Sequence, residues 1–157
     1  MPDSVRTQIL KKVKTRLEAL TGVGRVASPG TSEDGETDIL QGGEYVLYLV
    51  VLDDEPIRPA ASIIDGFLLR IVVVGKLPPA SYSENKPPEL AADELHWAIY
   101  GTYATADLGG WDNLAIKTEC LGGGGVEFEQ GGTLTPVMAH AMEIHYRIRR
   151  GEPTVAT

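Results

Sequence analysis

Two short oily runs constrain the fold most: YVLYLVV, within Tyr45 to Leu52, and FLLRIVVV, from Phe67 to Val74. Both are dense in Val, Ile, Leu and aromatic residues, the composition of strands. Neither alternates cleanly, so both read as central strands covered on both faces. Neither approaches the roughly 20 apolar residues that a membrane-spanning helix needs. The segment Val137 to Arg149 carries a different signature. In it Met142, Ile144, Tyr146 and Ile148 alternate with Glu143, His145, Arg147 and Arg149, a period of two that gives a strand one oily and one polar face.

Strands of this kind need elements laid on them, and two amphipathic segments supply them. Val5, Ile9, Leu10, Val13, Leu17 and Leu20 recur at helical spacing among basic residues. Asp3 or Ser4 can cap that helix and Gly22 can stop it. Pro87-Pro88 opens the second helix, with Leu90, Ala91, Leu95, Ala98 and Ile99 as its buried stripe as far as about Tyr103. Val23 to Ala27 is a short strand. Ser28 to Gly43, polar and acidic with hardly an apolar anchor, is expected to be a long mobile loop. LDDEPIRPAASIID reads as the connection between the two oily strands. Ala115 to Leu121 and Val126 to Gln130 read as two strands joined by a flexible tip, Gly122 to Gly125, and 151–157 as a flexible tail. The expectation is an α+β fold, one domain over 1–157. Two helices pack on a mainly antiparallel or mixed sheet in the order α-β-β-β-α-β-β-β.

The formal charge of −8 disfavours general binding to DNA or to anionic membranes, which depends on Lys and Arg. The charge is also uneven. Arg6, Lys11, Lys12, Lys14, Arg16 and Arg25 make the start basic, whereas Glu33, Asp34, Glu36, Asp38, Glu44, Asp53, Asp54 and Glu55 make the next stretch acidic. Such asymmetry suits head-to-tail self-association. The N-terminus has no apolar signal core, so an unprocessed, soluble protein made in the cytosol is expected. Cys120 is the single cysteine, which excludes an internal disulfide.

Motifs for chemistry are sparse. The run LGGGGVEFEQGG has no Lys and opens a strand, unlike a phosphate-binding loop. His140 and His145 lie five apart on one strand, hence on opposite faces. His96 has no second ligand one helical turn away. No Gly-x-Ser-x-Gly elbow is present, and Cys120 reads as a small apolar filler. Asp53-Asp54-Glu55 reads as acids facing water, with no burial to raise a pKa. The expectation is therefore neither an enzyme nor a metal protein; a hydrolase would require His96, His140 or Cys120 to converge in one cleft. Trp97, Tyr100, Tyr103 and Trp111 gather around the second helix, where they suit either an interface or the edge of the core.

The whole layout resembles the lambda-type tail terminator (tail completion) family of long-tailed phages. The likeness rests on a first helix VRTQILKKVKTRLEAL, a short strand and polar loop, two oily strands, a second helix, and the ending IHYRIRRGEP. Tyr146-Arg147 and Gly151-Glu152-Pro153 stand where that family often has Tyr-Arg and Gly-Asp-Pro. The resemblance implies a ring, usually of six copies, that caps the tail tube in the virion after assembly in the host cytoplasm. Its partners would be other copies of itself, the major tail tube protein and a head connector or neck protein. DNA would pass through the pore without specific binding, and no membrane, cofactor or reaction is implied. Arg147, Arg149 and Arg150, the basic Lys11, Lys12 and Lys14, and the acidic Glu33, Asp34, Glu36 and Asp38 are the candidate interface residues. Another head–tail joining or neck protein, or a small acidic protein-binding adaptor, is the alternative.

Overall fold

A computed structural model describes residues 2–28, 44–57, 63–104, 107, 109–129 and 135–157. Helix α1, Val5–Glu18, begins where Ser4 Oγ accepts a bond from the Thr7 backbone N–H at 3.2 Å, so Ser4 is its cap. Val5, Ile9, Val13 and Leu17, spaced by four, are wholly buried on the sheet side. The helix stops at Glu18, short of Gly22, whose φ of +85° belongs to the turn into β1, Val23–Ala27. After β2, Tyr45–Ile57, and β3, Ile64–Lys76, come α2, Pro88–Ala104, then β4, Lys117–Glu129, β5, Thr135–Arg149, and β6, Glu152–Ala156.

The strands form one mixed sheet in the order β1-β2-β3-β5-β4, with β6 added to β5. β1 pairs parallel to β2, and every other pairing is antiparallel. The architecture is the expected α+β domain, two helices on a sheet in the order α-β-β-β-α-β-β-β, but two strands differ in identity. The glycine run does not turn the chain. β4 continues through Gly122 to Gly125, with breaks in register at Leu121 and at Gly124-Gly125. The third strand after α2 is instead the tail, which was expected to run free. β4 begins opposite His145, so the edge of β5 beyond that point is open, and β6 takes it by pairing Ile148 with Ala156 and Arg149 with Glu152.

The stretch after Val51 departs from expectation for a related reason. Val51 pairs with Ile71 and Asp53 with Arg70, so Leu52 is an extra residue in a bulge. From there on the alternation of β2 is inverted, which is why LDDEPI does not read as strand. Arg70 holds the acids in place, bonding Asp53 at 3.2 Å, Glu55 at 2.8 Å and Glu143 at 2.9 Å across three strands. The covered face collects Leu47, Leu49, Leu69, Ile71, Val73, Met138, Met142, Ile144 and Tyr146 beneath the helices. The opposite face has a small cluster of Ala27, Val46 and Tyr48, so β2 is buried on both sides only at that end.

A corner of three consecutive left-handed residues, Trp111, Asp112 and Asn113, joins α2 to β4. Such residues are costly unless their surroundings enforce them. Here Trp111 is wholly buried and donates Nε1–H to Thr118 Oγ1 at 2.7 Å, and the Arg16 guanidinium lies 4.8 Å above its ring. Arg16 also grips Asp107 at 2.9 Å and Asp112 at 3.1 Å, tying α1 to the corner.

The face assignment makes a direct prediction. Ile71→Ala removes a wholly buried side chain and is expected to cost about 2–5 kcal/mol in denaturant unfolding. Leu52→Ala trims the exposed bulge residue and should change stability by no more than about 0.5 kcal/mol. Equal losses at the two positions would refute the bulge.

Candidate functional site

Three residues far apart in the chain meet where α2 lies over β4 and β5. Ala91, Ala92, Leu95, Ile99 and Tyr103 point inward from α2, and His96 shares that face. Leu90 and Ala98, expected on the buried stripe, face out instead. His140 lies on the covered face of β5 between Met138 and Met142, while His145 falls on the other face. Cys120 of β4 is the cross-strand partner of Met142 and so joins the same face at its solvent-facing edge. The ligand-bearing atoms of His96, Cys120 and His140 all lie within 4.8 Å of one another.

The histidines are linked Nδ1 to Nδ1 at 2.9 Å, and His140 Nε2 is 2.8 Å from the Tyr103 hydroxyl. Both imidazoles are buried, and the short contact requires one nitrogen to donate and the other to accept. Burial, reinforced by neighbouring His96, lowers the His140 pKa to about 4. The Tyr103 phenol is pushed well above its ordinary value, first by burial and then by the Cys120 thiol beside it.

The glycine run is the wall of this site. Gly122, Gly123 and Gly124 have φ of +131°, +143° and +87°, values that side chains rarely adopt. A Cβ on Gly123 would fall 2.2 Å from the Ala139 carbonyl oxygen and 3.0 Å from His96 Nδ1. The bulged, side-chain-free stretch makes the room that His96 occupies. Beyond Cys120 the site opens into a groove of about 420 Å³ lined by Tyr100, Tyr103, Ala104, Thr118 and Glu119.

This cluster overturns the expectation that the chain is no enzyme and carries no metal constellation. Two imidazoles and a thiol form a donor set for a borderline-soft metal ion, and a cysteine beside imidazole is also the raw material of nucleophilic catalysis. Local spacing could not reveal it, because His96 and His140 are 44 residues apart and each ligand comes from a different element. The glycine run was the usable signal, since glycine within a strand often marks close approach of another group.

The acidic triplet is corrected too. Past the bulge, Asp54 turns to the covered side, where burial raises its carboxyl pKa above the usual range and the Tyr146 hydroxyl donates to it at 2.6 Å. Its other oxygen, Oδ1, is buried without a partner. The four aromatics divide: Tyr103 and Trp111 are core, whereas Trp97 is 56% exposed and Tyr100 37%.

Of the expected interface residues, Lys11 pairs with Asp3, Lys12 with Asp112 at 3.1 Å and Lys14 with Glu18 at 3.8 Å. Arg149 lies 3.7 Å from Glu152, Arg150 lies 3.0 Å from Asp65, and Arg147 stands exposed on β5. These residues are spread over α1 and the end of β5, outside the histidine cluster. Glu33, Asp34, Glu36 and Asp38 lie outside the described residues. Among the described residues no helix is long and apolar enough to cross a membrane. No protein-family model matches the sequence, and no curated protein matches it with significance.

The neutral buried imidazole sets a pH dependence. Between pH 6.5 and about 4 the unfolded chain protonates His140 and the folded chain does not. Folding stability therefore falls as pH drops through that window, with a slope of up to about 1.4 kcal/mol per pH unit from this group. In chelator-treated protein, His140→Gln should flatten the dependence between pH 6.5 and 4. An unchanged slope would contradict a neutral, buried His140.

Proposed function

We propose that this protein is a ring-forming cap of the tail-terminator type, which ends a phage tail tube and offers a surface for head joining. Beside the resemblance, the reading rests on how the exposed apolar side chains are distributed. Leu52 and Ile57 of β2, with Ile63 just before β3 and 72% exposed, belong to one arm. Leu90, Trp97 and Tyr100 lie on the outer side of α2. β2 and the α2-covered β4 lie on opposite sides of the central β3–β5 pair. Besides Ile116, Leu121 and Val155, the exposed large apolar side chains thus fall into two groups on opposite flanks.

Two unlike patches are what a heterologous contact requires. Each copy offers its arm to the α2 side of the next, and a fixed rotation closes the ring. Trp and Tyr are enriched in such contacts because they bury large apolar area and keep a polar tip. Arg147 and Arg149, exposed at the end of β5, are guanidinium forks suited to carboxylates on the tube or on a neighbouring copy. In this arrangement the ring is built by the flanks and docked by the polar end of the sheet.

Native mass spectrometry at high protein concentration distinguishes this contact from a two-fold one. Ile57→Asp and Trp97→Glu should each abolish rings, because each spoils one patch. Mixed together, the two variants should form dimers and nothing larger, since one intact arm still meets one intact α2 face. A mixture that stays monomeric, or variants that still form the wild-type oligomer, would exclude the contact.

A further inference from the structure

We propose that His96, Cys120 and His140 form a binding site for a divalent ion of the zinc type, with a fourth coordination position open to the groove beside Cys120. The site rests on its own geometry, although Tyr100 belongs both to its groove and to the outer α2 patch.

The donor set selects the ion. Two imidazole nitrogens and one sulfur lie within 4.8 Å of one another, and all three are ligand types that zinc accepts. No carboxylate belongs to the cluster, so a hard ion such as calcium or magnesium would lack its oxygen ligands. Three protein ligands with one open position is the pattern of reactive zinc sites, whereas four protein ligands mark structural ones. The open side here is the groove of about 420 Å³ lined by Tyr100, Tyr103 and Cys120. A water or a small anionic ligand reaching the ion would enter from that side.

The surroundings are arranged as an outer shell. Ligand imidazoles commonly have their second nitrogen held by a polar group, which fixes the tautomer. The Tyr103 hydroxyl does this at His140 Nε2, 2.8 Å away, and leaves His140 Nδ1 facing His96 Nδ1. In the metal-free protein a proton occupies the 2.9 Å gap between those two atoms. Zinc–nitrogen bonds of about 2.0–2.1 Å at a tetrahedral angle place two nitrogens about 3.3 Å apart. The nitrogens therefore need to part by about 0.4 Å, with each ring turning so that its lone pair points at the ion. Gly123 and Gly124 put no side chain against His96, whose Nδ1 would lie 3.0 Å from a Cβ on Gly123. Binding also requires the Cys120 thiol to lose its proton, so affinity should rise with pH.

Cobalt(II) titration of the full-length, chelator-treated protein tests the site, because a thiolate ligand gives cobalt a charge-transfer absorption. One equivalent should bind and produce that band, and zinc should displace it. Cys120→Ser, at the solvent-facing edge, should fold normally by circular dichroism and lose the band. His96→Gln and His140→Gln should weaken binding at least tenfold, and Tyr103→Phe about tenfold. His145→Gln, on the opposite face, should bind as wild type. Absence of the band in the wild-type protein, or unchanged affinity in Cys120→Ser, would overturn the proposal. So would an equal loss in His145→Gln.

Discussion

The ladder between β3 and β5 is the interaction on which everything else is hung. It runs without a break in register from Ile64 opposite Arg149 to Lys76 opposite Val137. A one-residue slip would move every side chain of one strand to the other face. Because none occurs, Leu69, Ile71, Val73, Met138, Met142 and Ile144 form one continuous covered face. Irregularity is confined to the neighbours. β2 bulges at Leu52, which turns Asp54 toward the covered side, and β4 bulges around its glycines, which leave space for His96.

Those two bulges explain what could and could not be read from the chain. The helices, the oily strands and the alternating closing strand announce themselves through periods of 3.6 and two. Periodicity fails where a bulge inserts a residue, so LDDEPI looked like a connection and Asp54 like a solvated acid. Glycines remove the apolar pattern altogether, so a strand looked like a hairpin tip. The tail looked too polar to pack, yet β6 is held by backbone pairing to an open edge, an interaction that side-chain composition does not encode.

The histidine cluster was hidden for a different reason. His96 occupies a position on α2 that a helical stripe drawn through Leu90 and Ala98 assigns to solvent. A modest rotation of the buried face puts His96 and Tyr103 inside. Once there, neither could persist without partners, because a buried polar group without a hydrogen bond is expensive. His140, Tyr103 and Cys120 are those partners. The polar cluster and the glycine wall specify each other: the bulged glycines admit the imidazole, and the imidazole fills the space they leave.

Two regions of the molecule thus stand out, flanks with exposed apolar side chains and a polar cluster between α2 and the sheet, with Cys120 at its exposed edge. The capping role is the central claim, and electron microscopy of phage particles assembled with and without this protein tests it most directly. The account predicts overlong, irregular tails detached from filled heads when the protein is missing. Tails of normal length that merely fail to join heads would move it to the neck. Normal, infectious particles would contradict any role in tail assembly.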